Sequence, residues 1–231
     1  MSKSYYVIQS AEKSADIYIF GDIVPVEMFK EDVSAKSIVE QINRMDVETL
    51  NVYIDSYGGA VSEGWAIYNA LRKHPATVNT YGCGFVASAA LYPFLAGDNR
   101  YASNLSAYYL HQVMISVQGY PEELRTAANE AEMFTDIGIN AFVERTNMDE
   151  KTVRDLMENE TWLTPMQALE YGIATSITTD NTQKYTQSAR SQILQQVVKK
   201  HVAKTVEIEK KTPEKQTSIN IMSMFAKILN D

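Results

Sequence analysis

The amino-acid sequence predicts an α/β fold with a parallel sheet, from the order of its segments and from its composition. Three strand-like segments are each followed by a segment in which apolar residues recur with helical spacing. Consecutive strand–helix units imply parallel strands that are joined by right-handed crossovers. The chain has 231 residues, of which 45% are apolar and 22% are charged. This composition is typical of a globular protein with one sizeable hydrophobic core.

The three strand–helix units occupy the first part of the chain. The strands are predicted where β-branched and aromatic residues cluster, and Pro25 ends the first of them. The helices are predicted where apolar residues lie three or four positions apart. The third helix is predicted behind a glycine-rich turn. In chain order, the units are 16–23 with 33–45, 50–55 with 61–71, and 77–81 with 85–96.

The following part of the chain predicts further strands and helices. The longest helix is polar, rich in Glu and Ala, and begins at Pro121, a residue suited to a first helical turn. The last helix has Thr164 as its N-cap, Pro165 at the first helical position and Gly172 after its end. In order, these elements are a strand at 106–110, helices at 121–145, 149–158 and 164–172, and a strand at 173–177.

The net charge of −8 is distributed unevenly. Residues 1–181 carry 12 Lys and Arg against 25 Asp and Glu, a net charge of −13, whereas residues 182–231 carry 9 against 4, a net charge of +5. An acidic body with a basic end predicts two parts with different partners. We therefore place a boundary near Thr182, between a domain of residues 1–181 and a basic C-terminal extension of residues 182–231, which we expect to be partly helical or disordered.

Composition also restricts the class of protein and of site. Cys83 is the single cysteine, which fits a reducing compartment, and with only three histidines we expect no metal site. The phosphate-binding motifs G-x-x-x-x-G-K-[ST] and G-x-G-x-x-G are absent, and we expect no cofactor. No apolar run reaches the roughly 20 residues that cross a bilayer. We therefore expect a soluble, cytoplasmic protein without a membrane partner.

Two glycine-rich loops follow two successive predicted strands. They are D-S-Y-G-G at residues 55–59 and Y-G-C-G-F-V-A-S-A at residues 81–89. Because each loop opens a helix, each presents backbone N–H groups that favour an anion or a developing oxyanion. Taken singly, each loop is also typical of a tight turn between packed elements.

Ser88 and His111 are the candidate reactive side chains of this region. Ser88 lies among alanines at the start of the predicted apolar helix, and His111 follows the strand at 106–110. Taken singly, Ser88 is typical of a buried helix serine that bonds a backbone carbonyl, and His111 of a structural histidine. His74 and His201 lie in a loop and in the basic extension, where we expect them to be solvated.

Taken together, these motifs resemble the Clp proteolytic-subunit (ClpP-like) family of serine proteases. The resemblance covers about residues 16–180. D-S-Y-G-G corresponds to the family's S-P-G-G loop, G-F-V-A-S-A to the nucleophile segment, Y-L-H-Q to the histidine segment, and A-L-E-Y-G to the helix after the acid. Several departures most resemble the phage-encoded branch, the head maturation or prohead proteases. The resemblance implies the spiral ββα fold that this family shares with crotonases, with a projecting handle helix and a C-terminal extension.

The resemblance also implies the members of a catalytic site. Ser88 would be the nucleophile and His111 its general base, and the backbone N–H groups of Gly59 and Ala89 would form the oxyanion hole. Where the family usually has an aspartate, this chain has Glu160, and Asp155 is the alternative third member. Glutamate can orient an imidazole, although its longer side chain requires a different backbone distance. The expected enzyme is a serine endopeptidase with a Ser-His-Glu or Ser-His-Asp triad.

The expected partners follow from the same resemblance. Residues 121–145 correspond to the handle helix through which family members dock two rings, so we expect a homo-oligomeric ring and a stacked double ring. Cellular members of the family are fed by Clp-type ATPases, but no motif in this sequence identifies a docking surface for one. The phage branch implies scaffold or capsid proteins as substrates, which would be cleaved during head maturation in the host cytoplasm or within the assembling prohead. An enzyme of that branch would not require an ATPase, so the expected endopeptidase is either ATP-independent or fed by a partner.

Two other functions remain open at this point. Crotonase-like enzymes use similar N–H groups to hold the enolate of an acyl-CoA thioester, but the pairing of Ser88 with His111 argues against them. The presence of Glu160 in place of aspartate leaves open a catalytically inactive ring subunit or assembly scaffold. Cys83 has no cationic neighbour in sequence, and we expect it to be a buried small residue rather than a nucleophile.

The basic extension carries the least specific expectations. Lys199, Lys200 and Lys204 could contact nucleic acid, but the extension has almost no aromatic residues for stacking, which favours a solvated tail. We therefore expect no nucleic-acid partner. Residues 218–229 place apolar side chains on one helical face, which predicts docking on a partner or capsid protein, or removal by the protease itself.

Overall fold

The structure is a computed structural model, and it describes residues 7–11, 13–25 and 34–178. Its strands are β1 (Val7–Ala11), β2 (Ser14–Phe20), β3 (Thr49–Ser56), β4 (Thr77–Ala87), β5 (Asn99–Ser103), β6 (Ala107–Leu110), β7 (Thr161–Leu163) and β8 (Ser176–Thr178). Its α-helices are α1 (Ala35–Ile42), α2 (Val61–Lys73), α3 (Leu91–Leu95), α4 (Pro121–Arg145), α5 (Glu150–Glu158) and α6 (Pro165–Glu170). A short 3-10 helix, Ser88–Ala90, lies between β4 and α3. The extension of residues 182–231, with its expected helices, lies outside the described residues.

The predicted parallel α/β sheet is confirmed. The strand order is β1-β2-β3-β4-β5-β8, with parallel pairing from β2 to β8 and an antiparallel β1 at one edge. Off this path, β6 pairs in parallel with the last residues of β4, and β7 pairs antiparallel with β6. Strand β4 therefore contacts β5 with its first half and β6 with its second half.

The length of β4 corrects one expectation from the sequence. A glycine turn and a helix from residue 85 were expected, but the strand continues to Ala87 and the helical turn begins at Ser88. The glycines of this segment do not form a turn, and they allow neighbouring side chains to approach the strand closely. A Cβ on Gly82 would meet the Tyr108 hydroxyl, and one on Gly84 would meet the Asp55 carboxylate. Small residues in a strand often mark such places.

The hydrophobic core lies between one face of the sheet and helices α1, α2 and α3. Alternate residues of β2 and β3, including Ile17, Ile19, Val52 and Ile54, are fully buried on this face. Alternation of this kind follows from the two-residue period of a strand. Packing against the helices therefore fixes the position of the sheet, and loops that follow its strands form the site.

The opposite face of the sheet carries two rows of side chains that cross four strands. Four tyrosine rings stack with 4.8 Å between neighbouring centroids, and one aspartate and three asparagines form a hydrogen-bonded ladder with donor–acceptor distances of 2.8–3.0 Å. The rows are Tyr18-Tyr53-Tyr81-Tyr101 and Asp16-Asn51-Asn79-Asn99, which lie two positions apart in every strand. Cross-strand pairs of these types stabilise the register of a sheet.

The buried side chain of Arg100 connects three parts of the chain through hydrogen bonds. Its guanidinium donates to the backbone carbonyls of Gly97, Arg145, Gly172 and Ile173 at 2.8–3.0 Å. Burial and the nearby arginines lower the pKa of Arg100 to about 10. The end of α4 and the segment before β8 are therefore tied to β5 through one side chain.

The predicted helix starts agree with the observed caps. Helix α4 begins at Pro121, and the side chains of Asp149 and Thr164 accept hydrogen bonds from the backbone N–H groups of Thr152 and Gln167. These caps satisfy N–H groups that the helices leave unpaired. Within the described ranges, no helix is both long enough and apolar enough to cross a membrane.

Candidate active site

Ser88 lies at the junction of β4 and the 3-10 helix, in an unusual backbone conformation. Its φ angle is 55°, in the left-handed region that residues other than glycine adopt at an energetic cost. The residues on both sides, Ala87 and Ala89, are buried, while Ser88 is partly exposed. The chain thus turns sharply at Ser88 and leaves its hydroxyl accessible from one side.

His111 is brought to Ser88 by the pairing of two strands. It follows β6, and β6 pairs in parallel with the end of β4 so that Tyr109 is opposite Ala87. The Nε2 atom of His111 lies 2.7 Å from the Oγ atom of Ser88. In the tautomer with an unprotonated Nε2, the serine hydroxyl donates to the imidazole. The structure therefore brings together two residues that are 23 positions apart in the chain.

The loop at residues 55–59 packs against the serine segment. The Gly58 carbonyl accepts a hydrogen bond from the Ile23 N–H at 2.8 Å, and the Ala60 N–H donates to the Ile23 carbonyl at 2.7 Å. These two hydrogen bonds form a β-bridge between Ile23 and Gly59 that does not use the Gly59 N–H group. Gly59 itself is an exposed residue. Gly59 has a φ angle of 139°, a conformation that favours glycine. Gly59 and Ala89 both line the cleft at Ser88.

A buried serine, Ser56, fixes the same loop through two hydrogen bonds. The Ser56 Oγ atom accepts a hydrogen bond from the Gly58 N–H at 3.0 Å and donates to the Gly21 carbonyl at 2.5 Å. The loop therefore has hydrogen bonds on two sides. Sequence analysis did not single out Ser56, although its place between the strand and the two glycines was a usable signal.

The two candidate third members of the triad, Asp155 and Glu160, have different surroundings. The Asp155 carboxylate forms an ion pair with Lys151 on α5. Glu160 follows α5 with a φ angle of 49°, and its carboxylate lies near Tyr109. Burial and the Glu160 carboxylate together raise the pKa of Tyr109. Among the hydrogen bonds of the described residues, the one from the His111 ring is to Ser88, and the third member of the triad stays a prediction.

A row of aromatic rings extends from His111 along the site. Tyr109 stacks on the imidazole with a centroid distance of 5.3 Å and on Trp162 with a distance of 4.6 Å. Phe85 contacts Trp162 edge to face at 5.4 Å and also contacts Tyr57 at 4.9 Å. Sequence analysis missed this row. The two-residue spacing of Tyr109 and His111 in a strand was the one available signal, because such residues share a face.

A cleft of about 440 Å³ opens beside Ser88 and His111. One side is apolar and comes from α3, α4 and α5, with Leu91, Phe142 and Met157. Of the residues that the structure describes, those lining the cleft include no Asp, Glu, Lys or Arg. In the described ranges, no cluster of three or more His, Cys, Asp or Glu side chains has the arrangement of a metal site. Cys83 is half-buried on β4 and does not line the cleft.

Comparison with known proteins agrees with this arrangement. The family model described as Clp protease matches residues 3–181. This chain belongs to the Clp protease family. Its curated Clp relatives include the ATP-dependent Clp protease proteolytic subunit 2 of Treponema denticola, which is 33% identical over 150 residues, or 62% of this chain and 74% of the relative. The corresponding Clp subunit of Deinococcus radiodurans is 32% identical over 186 residues, or 75% of this chain and 91% of the relative.

The solved Clp structures agree in fold. A ClpP1 variant from Listeria monocytogenes superposes with a TM-score of 0.62 at 24% sequence identity, covering 73% of this chain and 93% of the other. The expected ClpP-like α/β fold is confirmed. The relatives named here are bacterial, and they do not show membership of the phage branch of the family.

Proposed function

We propose that this chain is the proteolytic subunit of a Clp-type serine endopeptidase, which hydrolyses peptide bonds. The observation that supports this most directly is the 2.7 Å contact between the Ser88 Oγ and the His111 Nε2. A serine in a left-handed turn, bonded to an imidazole at the edge of a cleft, has the geometry of an activated nucleophile.

In the proposed reaction, the Ser88 Oγ attacks the carbonyl carbon of the scissile peptide. The His111 Nε2 accepts the hydroxyl proton, and the resulting imidazolium donates that proton to the leaving amine. A water molecule then attacks the acyl-enzyme with His111 again as the base, which releases the acid product and restores Ser88. The reaction requires no redox partner and no cofactor.

The backbone N–H groups of Gly59 and Ala89 are the proposed donors to the tetrahedral oxyanion. The exposed position of Gly59, and the place of both residues in the cleft with Ser88, support this role. A donor of this kind contributes about 100- to 1000-fold in rate in other hydrolases. Glu160 also belongs to the proposed site, although it is not one of the two residues in the hydrogen bond between Ser88 and His111.

The proposed substrates are extended peptide segments with apolar or aromatic side chains near the scissile bond. The cleft has apolar walls, and the described residues that line it include no Asp, Glu, Lys or Arg. A charged substrate side chain would lose hydration there without gaining a partner. A narrower proposal is that scaffold or capsid proteins are cleaved during phage head maturation. It rests on the departures from the cellular sequence pattern, including D-S-Y-G-G and Glu160.

The proposed assembly is a homo-oligomeric ring, stacked as a double ring. Helix α4 supports it, because several of its apolar side chains are exposed in the single chain, namely Leu124, Met133, Ile137 and Val143. Exposed apolar side chains of this kind, of which Met133 and Ile137 are one helical turn apart, often mark a surface that is buried in a partner. The curated relatives carry "ATP-dependent" in their names, and we extend to this chain the proposal of a Clp-type ATPase partner. A cytoplasmic location is part of the same proposal.

An active-site label tests the proposal directly. A fluorophosphonate probe should label the chain at Ser88, and the Ser88→Ala and His111→Ala variants should not be labelled while they keep the wild-type circular dichroism spectrum. Ser106→Ala is a matched control, because Ser106 is a buried serine outside the cleft. A folded wild-type chain that neither reacts with the probe nor cleaves unstructured peptides would favour the inactive scaffold. Binding of coenzyme A thioesters would favour the crotonase-like alternative.

A further inference from the structure

We propose that Tyr109 is a positioning residue for His111 and that Trp162 and Glu160 hold Tyr109 in place. The inference rests on the proposed function and deepens it, because it assigns the orientation of the imidazole to a stacked ring instead of a directly bonded carboxylate.

The first step is the contact between the two rings. Tyr109 and His111 lie two positions apart at the end of β6, and their rings stack with an interplanar angle of 25° and a centroid distance of 5.3 Å. A stacked ring restricts rotation of the imidazole about its side-chain bonds, because most other orientations lose the contact. The hydrogen bond from Ser88 then selects one orientation within that restricted range.

The second step is the support on the far side of Tyr109. Trp162 of β7 is the direct antiparallel partner of Tyr109, and the two rings stack at 4.6 Å with an angle of 22°. Phe85 of β4 packs edge to face against Trp162. Tyr109 is therefore held between Trp162 and His111, and the three strands β4, β6 and β7 set its position.

The third step concerns Glu160. Its carboxylate lies near Tyr109, and its left-handed backbone stands directly before β7. A left-handed conformation at glutamate is costly and is kept where surrounding contacts require it. Glu160 can thus act on the imidazole through Tyr109. Glu160 follows α5, which is where the family motifs predict the acid. Its neighbour is Tyr109, whereas a triad carboxylate would contact the imidazole.

The test compares three substitutions of the ring. Tyr109→Leu removes the stacked surface at similar volume, and we expect the fluorophosphonate labelling rate and kcat to fall by up to about 100-fold, the effect of a misplaced catalytic group, with KM changed less than about twofold. Tyr109→Phe keeps the stack and should restore most of this loss. Glu160→Gln, which can still accept from the Tyr109 hydroxyl, should lower the rate far less than His111→Ala does.

Tyr101→Leu is the matched control. Tyr101 of β5 stacks on Tyr81 at 4.8 Å, and neither residue lines the cleft, so this variant loses a comparable ring contact away from the site. It should lower stability without changing the labelling rate of the folded protein. Equal losses of rate in the Tyr101→Leu and Tyr109→Leu variants would show a general structural effect and overturn the proposal. The proposal would also be overturned if the Glu160→Gln variant were as inactive as His111→Ala while the Tyr109→Leu variant stayed active.

A readout independent of catalysis separates this proposal from the proposed function. In a crystal structure of the Tyr109→Leu variant, we expect the imidazole to leave its 2.7 Å contact with Ser88. An unchanged His111 in that structure would overturn the positioning role even if the wild-type chain is an active peptidase. Displacement of His111 would support it even if the wild-type chain does not react with the probe.

Discussion

Gly58 and Ser88 touch across the two loops of the site. A Cβ atom on Gly58 would lie 2.8 Å from the Cβ of Ser88 and 2.5 Å from the carbonyl oxygen of Ala87. Gly58 also has a φ angle of 94°, which L-residues rarely adopt. The loop that carries Gly59 is therefore in direct backbone contact with the segment that carries the nucleophile.

Gly58→Ala should damage both stability and reactivity. Overpacking against fixed backbone and the positive φ angle each cost about 1–3 kcal/mol, so we expect a loss of about 2–5 kcal/mol in urea unfolding and no detectable labelling by fluorophosphonate. Gly119→Ala is the control, because the nearest atoms there belong to the flexible Glu123 side chain. A Gly58→Ala protein with wild-type stability would contradict the packing of the two loops.

Arg100→Met should destabilise the domain strongly. The substitution removes the donors to four backbone carbonyls, and buried hydrogen bonds to a charged group contribute about 1.5–3 kcal/mol each. We expect a loss of at least about 3 kcal/mol in the free energy of unfolding. Arg125→Met, which removes an exposed ion pair with Glu122, should change it by less than about 1 kcal/mol.

Asp98 should make stability depend on pH in the acid range. Burial alone would raise the pKa of Asp98, but hydrogen bonds from the Val78 N–H and from Arg72, with the charge of Arg72, lower it overall. The stabilisation is present above the pKa that the carboxyl has in the unfolded chain, about 4. It is lost as the pH falls through the lower folded value.

The comparison of wild type with Asp98→Asn measures this effect. The wild type should be more stable by about 1 kcal/mol at pH 7 in urea unfolding, since the carboxylate is partly exposed and screened. The difference should shrink steadily between pH 5 and pH 2. A difference that grows on acidification would show that the sign of the pKa shift is wrong.

The uncharged cleft predicts a preference among peptide substrates. In a series of fluorogenic peptides that differ at the residue before the scissile bond, Leu, Met and Phe should give kcat/KM values about 10- to 100-fold above those for Asp and Lys. Equal turnover of acidic and apolar peptides would contradict the proposed role of the cleft walls.

The exposed apolar side chains of α4 predict a defect in assembly. Ile137→Asp should lower the molar mass that light scattering measures, because it places a charge on the surface that we propose to be buried in the oligomer. Asn104→Asp adds the same charge at an exposed polar position outside α4 and is the control. Both variants should keep the helical circular dichroism signal of the folded chain.

Local sequence determined most of the elements and the two reactive residues. Helix starts at Pro121, Glu150 and Pro165 follow from proline and from capping side chains within three residues, so nearby residues suffice to predict them. Ser88 and His111 were recognisable because they stand in motifs with distinctive residues on both sides. Such signals need no knowledge of how distant segments pack.

Tertiary structure alone decided the environment of His111. Pairing of β6 with β4 sets its distance from Ser88, and pairing of β6 with β7 places Trp162 against Tyr109. The same packing continues β4 to Ala87 and brings Glu160 near Tyr109. These contacts depend on strand register between residues up to 55 positions apart, which local propensity does not encode.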